Sequence, residues 1–133
     1  MSFEVVNPDA WGRPSGWNHG MLGPTNGRVL FVAGQTAADA SGAVAPAPFL
    51  EQWDRALARV IAVVRAAGGA PEHVGRITVY VTDRAAYLAS LRSLGEIHRR
   101  HLGRHYPAMA LVEVRGLVDP NAVVEMEATA VLP

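Results

Sequence analysis

His105–Val131 reads HYPAMALVEVRGLVDPNAVVEMEATAV, and its alternation decides the fold. In Tyr106–Val114 the even positions are Tyr106, Ala108, Ala110, Val112 and Val114, all fit for a core. The odd positions Pro107, Met109, Leu111 and Glu113 are mixed. In Ala122–Leu132 the even positions Ala122, Val124, Met126, Ala128, Ala130 and Leu132 are all apolar. They alternate with Val123, Glu125, Glu127, Thr129 and Val131. A period of two puts each set on one face of a sheet. Asp119-Pro120-Asn121 supplies turn chemistry between the two strands. One sheet face should therefore be uniformly apolar, and the other should carry acids among apolar residues. The chemistry is expected on the second face.

Working back along the chain, Arg84–Leu102 has a helical stripe of Tyr87, Leu88, Leu91, Leu94, Ile97 and His98. Asp83 is its expected N-cap and Gly103 its stop. Arg76–Thr82 alternates as a strand. Phe49–Ala67 is the clearest helix, with Phe49, Trp53, Leu57, Val60, Ile61 and Val64 at three- and four-residue steps and Gly68-Gly69 ending it. Trp17–Leu22 and Arg28–Gln35 read as a hairpin turning at Gly23–Gly27, after a short strand at Phe3–Val6. The order β-β-β-α-β-α-β-β predicts a two-layer α+β domain spanning residues 1–133. It would have about six strands in a mixed sheet, with two helices on one face. The uncovered face should show Val29, Phe31, Tyr80, Met109, Leu111 and Val123. That much contiguous apolar surface is expected to be buried against sister subunits.

The chain has 133 residues, half of them hydrophobic, with 12 basic and 12 acidic side chains and no cysteine. Balanced charge argues against a nucleic-acid partner held by general electrostatics. Without cysteine there is neither a disulfide framework nor thiol chemistry. No apolar run reaches the roughly 18 residues that cross a bilayer, and the N-terminus lacks a signal-peptide layout. No membrane partner and a cytoplasmic location are expected. Gly68-Gly69 is followed by no Gly-Lys-Ser/Thr. His98, His101 and His105 form no H-E-x-x-H pattern, and Gly103 interrupts their helix. No metal and no cofactor are expected.

Three segments together resemble the RidA family, also called YjgF or L-PSP, whose members hydrolyse reactive enamines and imines. The first is Ser15-Gly16-Trp17-Asn18-His19-Gly20 with Leu30-Phe31-Val32-Ala33-Gly34-Gln35. The second is Gln52 to Ala67-Gly68-Gly69 with Val74 to Val81-Thr82-Asp83. The third is Tyr106-Pro107-Ala108-Met109 through Val124-Glu125-Met126-Glu127-Ala128-Thr129-Ala130-Val131. The resemblance implies a chorismate-mutase-like fold, a homotrimer, and small-molecule sites in clefts between subunits. It also implies that Glu125 positions the attacking water, that Trp17 is the aromatic closing the pocket, and that Gly34 is the glycine whose backbone approaches substrate. His19, Gln35 and Arg92 are further pocket candidates.

Three positions depart from the family pattern. Met109 stands where an arginine clamps the substrate carboxylate, Leu111 where better-known members carry cysteine, and Ala33 where a small hydroxyl residue precedes the glycine. A guanidinium holds a carboxylate through two charged hydrogen bonds, whereas a thioether donates none. Losing one such bond costs about 1.5–3 kcal/mol, or roughly ten- to a hundredfold in binding. The departure points away from an imine of a small 2-amino acid, toward a more apolar imine or another ligand. Arg115 is about 20 Å along the strand from Met109, too far to substitute. Arg13, Arg92 or His19 would have to reach in instead.

Bland roles stand beside these. Glu125 could be a surface carboxylate, Trp17 an interface anchor and His19 a plain strand histidine. Glu127 and Glu113 suit salt bridges between subunits. The leading expectation is a trimeric imine or enamine deaminase with altered substrate. The alternative is a non-catalytic small-molecule-binding trimer of the same fold. A ribonuclease fits poorly with neutral charge and no paired His/Lys site.

Overall fold

The computed structural model describes residues 2–133. Six strands are present: β1 Glu4–Val6, β2 Gly20–Leu22, β3 Arg28–Gln35, β4 Val74–Val81, β5 Ala108–Glu113 and β6 Val124–Leu132. Three α-helices accompany them: α1 Phe49–Ala66, α2 Arg84–Ala89 and α3 Leu91–Leu102. The α+β class and the helices packed on a mixed sheet are as the sequence led us to expect.

The spacing of apolar residues makes α1. Trp53, Ala56, Leu57, Val60, Ile61 and Val64 are buried on one stripe, each large aliphatic contributing about 1.5–3 kcal/mol. Gly68 ends the helix at φ +87°, a left-handed conformation that favours glycine. Its N–H bonds Arg65 O at 2.9 Å, and Gly69 N–H bonds Val64 O at 2.9 Å, closing off two orphan carbonyls.

The main sheet has the order β3-β6-β4-β5, with β4–β5 parallel and the other pairs antiparallel. Val124, Met126, Ala128, Ala130 and Leu132 of β6 face the helices and join Ile77, Val79 and Val81 of β4 in the core. The odd residues Glu125, Glu127 and Thr129 look the other way, as the alternation requires.

Four expectations are corrected. β5 and β6 are not neighbours, because β4 lies between them. Asp119 still makes its turn, accepting from Asn121 N–H at 2.9 Å, but its second oxygen takes Val44 N–H at 2.9 Å and so anchors a crossing loop. Trp17–Leu22 does not pair with β3; β2 pairs with β1 in a separate two-stranded ribbon. The helix expected over Arg84–Leu102 breaks at Ser90 (φ −115°, ψ 9°) into α2 and α3, leaving Leu88 and Leu91 exposed.

The fourth correction moves the site. β5 pairs Ile77 with Met109 and Val79 with Leu111, so Met109 and Leu111 face the helices and pack on the core. Ala110 and Val112 take the uncovered side beside Thr78 and Tyr80. Ala108, Ala110 and Val112 are apolar and so are Met109 and Leu111, so with Glu113 the strand's one polar residue, at its end, period two does not say which set faces inward. Val123 likewise packs on the core, whereas Val29 and Phe31 stay exposed, Phe31 at 80%.

Gln52 and Asn18 are buried polar side chains that hold loops to this frame. Gln52 donates to Ala47 O and Asn121 O at 3.1 and 2.9 Å and accepts from Val123 N–H at 2.9 Å. Asn18 donates to Tyr106 O at 2.7 Å and accepts from the Asn7 amide at 2.9 Å, which pins the N-terminal loop to the start of β5. No helix among the described residues is long and apolar enough to cross a membrane.

Candidate functional site

The candidate residues fall into two places, one on each side of the main sheet. On the helix side lies a cleft of about 590 Å³ between the N-terminal loop, the edge of β5 and the helices. Trp17 forms one wall. Met109, Leu111, Ile77 and Met126 form the floor, and Tyr87, Leu91, Leu94, His98 and Arg99 form the far side. Trp17 reaches this position because Asn18, its neighbour, is held to the Tyr106 and Pro107 carbonyls. His19 lies edge-on to Trp17 at 4.6 Å and to Trp11 at 5.1 Å, outside the cleft.

The cleft is mostly apolar. Its His98 ring stacks on Tyr106 at 5.0 Å and donates from Nε2 to His105 O at 2.8 Å. Burial pulls the His98 pKa below its ordinary 6.5, outweighing the opposing carbonyl bond, so the imidazole favours its neutral form. The other two histidines have separate partners. His101 meets Asp54, whose carboxyl is held below its usual range first by that hydrogen bond and then by Arg100. His105 donates to Val74 O at 2.6 Å. Among the described residues no group of three or more His, Cys, Asp or Glu is disposed to hold a metal.

On the uncovered face, Glu125 of β6 stands opposite Tyr80 of β4. Tyr80 donates its hydroxyl to Glu127 Oε1 at 2.5 Å, and that bond to a carboxylate raises the phenol's pKa. Glu127 is thus engaged within the chain. The ion pairs of the described residues are Arg55–Glu51, Arg100–Asp54 and His101–Asp54, so Glu125 has no cationic partner there. Glu125 is half-buried and lies against Gly34. A Cβ on Gly34 would sit 2.9 Å from the Glu125 carboxyl carbon and 3.1 Å from Oε1. The β3–β6 register is irregular between Val32 and Gln35, which brings the Gly34 backbone up to the carboxylate.

The remaining candidates are placed otherwise. Gln35 pairs with Met126, and its side chain accepts from Arg59 Nε at 3.2 Å and donates to Ala33 O at 3.1 Å, so its amide is taken up inside the chain. Arg92 is exposed on α3 and lines neither place. Glu113 accepts from Arg84 N–H at 3.0 Å at the start of α2. Sequence reasoning missed Arg99 and Tyr106 as cleft residues.

Residues 13–132 match the family model described as Endoribonuclease L-PSP. A RutC family protein of Pyrococcus abyssi is 31% identical over 105 residues, 78% of this chain and 79% of that one. A goat protein named 2-iminobutanoate/2-iminopropanoate deaminase is 28% identical over 105 residues, 78% of this chain and 73% of that one. A crystal structure of a conserved Rid-family protein from Yersinia pestis, of unknown function, superimposes with a TM-score of 0.85 at 32% identity. That match covers 99% of this chain and 100% of the other. Sequence and backbone agree over almost the whole length, and the chain belongs to the Rid (YjgF, L-PSP) family.

Proposed function

We propose that this protein hydrolyses a reactive imine or enamine in a cleft completed by a second copy of the chain, within a homotrimer. The observation that carries this reading is the Gly34–Glu125 approach. It leaves a half-buried carboxylate, free of any cationic partner in the described chain, against backbone that can meet a substrate. The exposed Phe31, Val29 and Val112 support burial of the uncovered sheet face by another subunit. The goat relative, a 2-iminobutanoate/2-iminopropanoate deaminase by name, supports the reaction class.

In this mechanism Glu125 accepts a proton from water as the water oxygen bonds the C=N carbon and the π electrons move to nitrogen. Glu125 returns that proton to nitrogen. It then takes the hydroxyl proton and passes it on as the C–N bond breaks, giving a carbonyl compound and ammonia or an amine. Met109 and Leu111 would bring an apolar wall from the neighbouring chain. This favours imines more apolar than those of small 2-amino acids.

The test generates imines from a panel of amino acids and amines and compares the wild type with Glu125→Ala. A Glu125-dependent rate above buffer for an apolar imine is expected. If no imine shows one, the hydrolase reading fails and a non-catalytic binding trimer remains. Sedimentation as a single copy would remove both.

A further inference from the structure

We infer that Arg99 is the anion-binding group of the helix-side cleft, and that the cleft takes a small ligand with an apolar body and a single carboxylate. The inference rests on this cleft being the ligand site, and it adds the ligand's charge and the residue that reads it.

Arg99, Arg100 and His101 all lie in the last turn of α3, where cations suit the helix dipole. Dipole compensation does not explain where each side chain goes. Arg100 and His101 turn to Asp54 of α1. Arg99 turns instead to the cleft, which it lines together with His98, Leu91 and Met109. It forms no ion pair among the described residues. Its charge acts across the cleft wall on His98, one contribution to that ring's lowered pKa.

Gly95 lies one turn earlier, beside the guanidinium. A Cβ there would stand 3.6 Å from Arg99 Nη1, an ordinary van der Waals contact, so only a side chain longer than alanine would compete for the guanidinium's place.

Among the cleft-lining residues Arg99 is the one fixed cation, since burial favours neutral His98. One guanidinium fork matches one carboxylate in two parallel hydrogen bonds. The floor beneath it, Met109, Leu111 and Met126, donates no hydrogen bond and suits an aromatic or branched alkyl body. The carboxylate clamp is thus supplied from α3, across a cleft whose floor includes Met109.

The test measures binding of 3-phenylpropionate and its uncharged amide to the full-length protein by calorimetry. Wild type should bind the acid at least about tenfold tighter than the amide. Arg99→Gln and Gly95→Leu should both erase that preference, and the exposed control Arg65→Gln should keep it. Equal binding of acid and amide by wild type, no binding of either, or a preference that survives Arg99→Gln overturns the inference. Glu125-dependent hydrolysis without an Arg99-dependent preference overturns this inference alone. The preference without hydrolysis overturns only the proposed reaction.

Discussion

Glu125 and Met109 project from opposite faces of the same four-stranded sheet. Glu125 pairs across β6–β4 with Tyr80 on the uncovered side, while Met109 pairs with Ile77 and joins the helix-side core. If both residues serve one ligand, they come from different chains.

That relationship predicts complementation. Glu125→Ala and Met109→Asp should each abolish hydrolysis as pure proteins. Unfolding them together and refolding at equal concentration should restore activity. In a random ring about one quarter of the clefts draw both intact residues from different chains, which sets the recovery expected. A refolded mixture as inactive as its parents would show that the two residues do not share a cleft.

Gly34→Ala should separate activity from stability. The new methyl group would stand 2.9 Å from the Glu125 carboxyl carbon, at the movable end of a side chain. The carboxylate would swing aside at little cost to folding. A displacement near 1 Å costs on the order of a hundredfold in rate. We expect that loss in kcat/KM with a thermal midpoint close to wild type. A large drop in the midpoint with activity retained would contradict it.

Gln52→Leu should destabilise the fold. The substitution keeps the side chain's bulk but strands the Val123 N–H and the carbonyls of Ala47 and Asn121, which Gln52 satisfies while 1% exposed. Orphaning such groups costs about 1–3 kcal/mol each where water cannot reach them. Urea titration should show a lower midpoint at similar slope.

His98 predicts a loss of stability on mild acidification. Its folded-state pKa lies below the ordinary 6.5, so over the interval between the two values the unfolded chain binds more protons. Stability is therefore complete above about 6.5 and falls as pH drops from there toward the folded pKa. The urea midpoint should fall between about pH 7.5 and pH 5.5. His98→Gln should flatten that dependence; an unchanged slope in the variant would place its origin elsewhere.

Much of the frame was legible because it depends on local periodicity. The α1 stripe and its glycine stop, the buried even residues of β6 and the outward turn of Glu125 all follow from spacings of 3.6 or two residues. The family resemblance singled out Gly34, which lies against Glu125 in the structure. Arg92, Gln35 and His19, expected as pocket groups, line neither place within one chain. What decides their roles is the partner each finds in space: solvent for Arg92, Arg59 for Gln35, and two tryptophans for His19. Arg99 was overlooked because no local pattern separates it from Arg100 and His101, which Asp54 draws off in space.

By itself the sequence determined the α+β class, the Rid family and the acid on an outward sheet position. The tertiary structure alone decided that β4 separates β5 from β6, that Met109 lies behind the sheet from Glu125, and that Arg99 opens onto the cleft. Local patterns record which residues share a face along one segment. They do not record which strand lies beside which, and that pairing assigns each face of an edge strand apolar on both sides but for its last residue to the core or to the open side.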